Sequence, residues 1–160
     1  MAALDPVRAT LLGVAGHDQE MTDYSPSGSE ARHAHNRATL GELSRQQPAS
    51  DRDRRAAEVI RERLQVAVDQ YESGEHLREL RIIGSPFGQI RQVFDLMPRD
   101  SVDDWDIMAE RMARVPEALA GFEAALREGA GKGLVAARRQ ALACAEQGSA
   151  WSGERKARPF

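Results

Sequence analysis

Four histidines, His17, His33, His35 and His76, are the side chains best suited to hold a transition metal. A helical zinc-peptidase site takes the form H-E-x-x-H, because residues four apart share a helix face and the glutamate must reach the metal-bound water. None of the four begins that pattern. His33 and His35 are two residues apart, about 200° around a helix, so their rings would face different ways. Glu72 and His76 have the right spacing, but Gly74 intervenes and no further ligand is evident. All four are therefore read as solvated or structural histidines, and no metal ligand is assigned.

The nucleophile search is equally spare. His17-Asp18 could pair a base with an orienting carboxylate, yet such pairs are ordinarily assembled from separate loops. The surrounding glycines and charges point instead to a surface or cleft-edge loop. Cys144 lies between Ala143 and Ala145 on an expected helix, without the base or helix N-terminus that activates a thiolate. It is read as a small core residue. Gly129-Ala130-Gly131-Lys132-Gly133 lacks the G-x-x-x-x-G-K-[ST] spacing and the preceding strand of a phosphate loop. Two loops resist reduction to packing, Asp23-Tyr24-Ser25-Pro26 and Ile83-Gly84-Ser85-Pro86-Phe87, since they join polar side chains to rigid turns. His17, Asp18, Asp23, Tyr24 and Ser85 are thus the candidate cleft-lining residues, and no catalytic residue is named.

The elements that must position them are helical. Only 17 residues are β-branched, in few alternating runs, against 25 alanines, so strands are disfavoured and helices favoured. Asp5-Pro6 and Ser25-Pro26 are helix starts, a capping side chain followed by a proline whose missing N–H costs nothing there. The first helix stops at Gly13, with Val7, Leu11 and Leu12 inward, and the second runs to about Arg45. From Asp51 to Gly74, the residues Ala56, Val59, Ile60, Leu64, Ala67, Val68 and Tyr71 recur at three- and four-residue steps as one apolar stripe. Leu77 to Gly88 reads as the least helical stretch, with Leu80 to Gly88 a candidate short extended segment finished by Pro and Gly, though a lone strand would have no partner within this chain. A short apolar helix follows around Ile90, Val93, Phe94, Leu96 and Met97. Ser101-Val102-Asp103-Asp104 is a capping box with Asp in the third helical position, opening a helix that should bury Trp105, Met108, Met112 and Val115. Pro116 interrupts it, the pattern resumes through Leu119, Phe122 and Leu126, and a last helix spans Leu134 to about Gln147. The expected fold is all-α, an irregular bundle of five to seven helices, with residues 1–150 as one helical domain and 151–160 as a polar tail.

At 160 residues the chain is long enough to bury a core unaided. Its net charge of -3 and its interleaved arginines and acids, as in Asp51-Arg52-Asp53-Arg54-Arg55, describe solvated helix faces and argue against nucleic acid. One cysteine excludes an internal disulfide. No stretch approaches the 18 or so apolar residues of a membrane span, and no leader is recognisable at Met1–Pro6. The cytoplasm is the default compartment.

Several segments resemble a known family. Leu4 to Gly13, Gly16-His17-Asp18, Thr22 to Pro26, Ser85-Pro86, Arg91-Gln92-Val93-Phe94-Asp95-Leu96-Met97-Pro98, Val115 to Leu119 and Gly133 to Gln140 look like the N-terminal region of the bacterial family called domain of unknown function 885. The resemblance covers about residues 4 to 151. It implies a larger helical fold resembling zinc metallopeptidases of the carboxypeptidase-like kind, with an H-E-x-x-H helix in a C-terminal half that this chain lacks. No catalytic or metal residue carries over, and zinc is expected only in a full-length relative. The tail after Trp151 departs from the family, so a truncated or split gene product is one expectation. The implied partner is the missing catalytic half, or another protein, docking on apolar surface such as Ile82, Ile83, Phe87, Phe94 and Met97. A stand-alone helical interaction module is the alternative.

Overall fold

The computed structural model describes residues 1–153, and within them the chain is all-helical, an irregular bundle with no strand. Seven α-helices follow in order: α1 Pro6–Leu11, α2 Pro26–Arg45, α3 Asp51–Glu72, α4 Pro86–Gln92, α5 Val102–Ala113, α6 Val115–Gly131 and α7 Arg138–Trp151. Three short 3₁₀ turns, Ala2–Leu4, Glu75–Leu77 and Val93–Leu96, lie between or before them. Most of the expected polar tail, residues 154–160, lies outside the described residues.

The starts are set by side-chain caps. Asp5 accepts from the Arg8 amide at 3.2 Å, Ser25 from Gly28 at 3.1 Å and Ser50 from Asp53 at 3.2 Å. The box at Ser101 is complete: its hydroxyl accepts from the Asp104 amide while the Asp104 carboxylate accepts from the Ser101 amide. Each such cap contributes about 1 kcal/mol.

The short link after Arg45 folds α3 back on α2, and these two helices form the most extensive pairing of the bundle. Helix α6 is the hub. It packs on α2, α4, α5 and the Glu75–Leu77 turn, and its inner face, Ala118, Phe122, Ala125 and Gly129, is buried. Small side chains on that face let backbones approach closely. A Cβ on Gly129 would stand 2.1 Å from the Leu77 carbonyl oxygen, so only glycine fits there. Tyr24, Ile90, Ala118 and Phe122 form the core, with Met21, Leu80, Phe87, Val115 and Leu126 packed against it.

Several expectations are corrected. Leu77–Gly88 forms no strand: after the 3₁₀ turn residues 79–81 have no regular structure, 82–85 bend, and Ser85-Pro86 opens α4. The last helix begins at Arg138 and ends at Trp151. Leu12 is exposed because α1 ends before it. On α3 only Val68 is fully buried, while Val59, Ile60 and Val66 face solvent, since α2 and the Glu75–Leu77 turn are its main neighbours. Trp105 and Met112, both 54% exposed, point away from the bundle, because α5 turns Met108 and Arg111 inward instead. Met97 is buried, and of the expected surface residues Ile82 and Ile83 are the exposed pair.

Candidate functional site

Two polar constellations stand out, one a closed knot and one an open cleft. The knot is centred on Arg111, which is fully buried. Its Nε donates to the Glu20 carbonyl at 2.9 Å, and one Nη donates to the His17 carbonyl at 2.7 Å and the Thr10 hydroxyl at 3.0 Å. Thr10 donates in turn to Asp18 at 2.7 Å. Burial pulls the Arg111 guanidinium below its ordinary pKa, and the carboxylates of Asp18 and Glu20 oppose that shift. Beside it, Thr22 donates to Asp5 at 2.6 Å and accepts from the Val7 amide at 3.1 Å, tying the same loop to α1. Every partner in this knot is a backbone or structural group, so it fastens the 13–22 loop to α1 and α5.

The knot accounts for the positions of His17 and Asp18. The His17 Nδ1 lies 3.5 Å from Glu20, and Asp18 is engaged by Thr10. Asp23 accepts from the Ser25 amide at 2.8 Å at the entrance to α2. Tyr24 belongs to the core, where burial raises its hydroxyl pKa well above the ordinary value. Ser85 is fully buried and donates to the Arg81 carbonyl. These five residues divide among separate places, and of them Asp23 lines two clefts beside Met21 and Arg114. Cys144 is buried, and burial pushes its thiol up.

The open cleft, about 310 Å³, lies between α2, the end of α3 and the segment that follows. Three rings stack in it. His33 from α2 lies 4.1 Å from Tyr71 of α3, centroid to centroid, and Tyr71 lies 4.3 Å from His76, with planes within 15° and 7° of parallel. The local cause of the second contact is Gly74. It adopts φ +75°, a left-handed conformation open to glycine at little cost, and so ends α3 and folds His76 back over Tyr71.

The polar groups of the cleft are incompletely satisfied. Arg32 donates to the Asp23 carbonyl at 2.6 Å and to Ser29 Oγ at 3.0 Å, and forms no ion pair among the described residues. Glu75 is paired with Arg78 and Glu79 with Arg81. Burial raises the Glu79 carboxyl above its ordinary pKa, and burial lowers that of His76. The Nδ1 atoms of His33 and His76 and Oδ1 of Asn36 are shut from solvent without a hydrogen-bond partner. Such groups each cost about 1–3 kcal/mol in a folded protein and are rare outside sites that use them.

The sequence put Tyr71 on a core stripe and treated His33 and His76 as unrelated. The only local sign of their meeting is Gly74 three residues after Tyr71. The spatial pairing of α2 with α3 is what joins them. Among the described residues no three His, Cys, Asp or Glu side chains are grouped so as to hold a metal ion.

A family model described as a bacterial protein of unknown function, DUF885, matches residues 6–159. No curated protein matches the chain.

Proposed function

The chain belongs to the bacterial DUF885 family, a family of unknown function, and from that membership we propose that it is the N-terminal helical portion of a zinc metallopeptidase-like protein. On this reading it is inactive alone and forms one wall of a substrate cleft, while the metal-binding H-E-x-x-H half lies outside these 160 residues. No step of zinc chemistry is assigned to its own side chains.

The observation that carries the reading is the outer face of α5. Val102, Trp105 and Met112 stand at helical spacings of three and seven residues and therefore share one face. They are 75%, 54% and 54% exposed. Met108 and Arg111, next around the helix, are already buried. An apolar stripe left bare beside a buried face is what a covering protein surface would bury. The metal-binding half is the occupant that the family resemblance supplies.

Purified chain should contain no stoichiometric zinc and hydrolyse no peptide. Mixed with the H-E-x-x-H half of a family member, it should form a complex in which amide exchange slows across residues 102–112. Stoichiometric zinc accompanied by peptide cleavage by the chain alone would sink the reading, as would a complex leaving those amides unprotected.

Ile83, 84% exposed beside Ile82, favours a second reading, a stand-alone module docking another protein through residues 82–97. In that case Ile83→Ser would abolish partner binding and Trp105→Ser would leave it intact.

A further inference from the structure

The cleft between α2 and α3 plays no part in the reading above, and it has the attributes of a ligand site in its own right. Its volume of about 310 Å³ falls at the small end of ligand pockets. Among the described residues, three of the six buried side-chain polar atoms without a partner belong to residues lining it: His33 Nδ1, Asn36 Oδ1 and His76 Nδ1. Asn36 itself is only 7% exposed. A folded chain ordinarily satisfies such groups with protein or water, so their gathering around one cavity marks it as a polar cavity with hydrogen-bonding capacity to spare.

Charge selects the class of ligand. The carboxylates of the cleft have internal cations, Glu75 with Arg78 and Glu79 with Arg81. Arg32 does not. Its guanidinium is held by two neutral acceptors, the Asp23 carbonyl and Ser29 Oγ. These bonds use two of its five N–H groups and fix its direction while leaving it without an ion pair, coupled to the Glu79 carboxylate only at longer range. A preoriented guanidinium of that kind binds carboxylates well. Arg32 is the one guanidinium lining the cleft that has no ion pair among the described residues, so it balances a single negative charge. Tyr71 is sandwiched between His33 and His76, so these rings can meet a flat ligand body with their edges and outer faces.

We propose that this cleft binds a small planar monocarboxylate, with Arg32 holding the carboxylate and the ring stack contacting the flat portion. The inference is independent of the metallopeptidase-like reading and can fail without affecting it.

The test is a titration of the full chain with sodium benzoate, following the imidazole Cε1–H signals of the four histidines by NMR. Saturable shifts should appear at His33 and His76, with His17 and His35 unmoved. Affinity should fall at least tenfold in Arg32→Gln and rise two- to fivefold in Glu79→Gln. It should be unchanged in Arg127→Gln, which is paired with Glu123 on α6 and lines no part of the cleft. Melting curves establish that each variant is folded. If Arg32→Gln is not, Arg32→Lys, which keeps the charge but loses the fork, should bind at least threefold more weakly than the parent. The proposal is overturned by the absence of a saturable shift at His33 and His76, by benzoate affinity indifferent to the Arg32 variant, or by inorganic phosphate binding as tightly as benzoate.

Discussion

With Arg111 shortened to methionine, the carbonyls of His17 and Glu20 and the hydroxyl of Thr10 lose their donor inside the protein. Buried acceptors left bare are costly, so Arg111→Met should lower stability by about 2–4 kcal/mol, read as a shifted urea midpoint. Proteolysis should start in the 13–22 loop, and an unchanged midpoint would refute the role given to the knot. His76 provides a pH-dependent counterpart. Burial lowers its pKa from the usual 6.5, so the unfolded chain takes up the proton more readily than the folded one. This contribution is whole above that value and drains away as pH falls from it through the lower folded value. The melting temperature should therefore decline between about pH 7 and pH 5, and less steeply in His76→Gln. The sequence drew attention to His76 only as a possible metal ligand, and to Arg111 not at all. Arg111 is one arginine among 20, and its burial follows from the loop that wraps it, 91 to 101 positions away.

Helices are where the sequence was most legible. The caps at Asp5, Ser25 and Ser101 and the prolines after two of them mark the starts of α1, α2 and α5 within a residue, because capping is decided by neighbours a turn away. The region before α4 misled, since Leu80-Arg81-Ile82-Ile83 has the composition of a strand but no strand partner among the described residues. Glycines sort the helices in a way that composition cannot. Gly41 of α2 has open space, its nearest foreign atom being Arg45 Nη1 at 3.8 Å from an added Cβ. Gly41→Ala should stabilise by about 0.5–1 kcal/mol through reduced backbone entropy. Gly129→Ala meets the Leu77 carbonyl at 2.1 Å and that of Leu134 at 2.8 Å, and α6 must move off the turn to admit it. A loss of about 3 kcal/mol or more is expected, of the kind overpacking produces. Paired melts of the two variants check this, and equal effects would contradict the close approach.

For the molecule as a whole, the notable feature is how much apolar surface stays outside. The α5 face, the outer part of α3 and Ile83 are all bare, although Trp105 and Met112 look like core residues by their periodicity. Because Trp105 is half exposed, Trp105→Ser should alter folding stability by no more than about 0.5 kcal/mol, the range of ordinary surface changes. It should nevertheless reduce binding of an apolar dye to the chain. A loss of several kcal/mol instead would show that Trp105 is packed against the bundle. No described helix is long and apolar enough to cross a membrane.

The sequence by itself determined the all-α class, most helix boundaries, the burial of Cys144 and the family, because each depends on composition, local capping or residue order. Periodicity showed which helices have an apolar side but not which side meets a neighbour. That choice belongs to packing, and it placed Met108 and Arg111 inward and Trp105 outward on the same helix. The candidate cleft is likewise a product of tertiary structure. His33, Tyr71 and His76 share a site because α3 folds back on α2 and a left-handed Gly74 returns the chain across its end, a meeting of rings separated by up to 43 positions that no local spacing encodes.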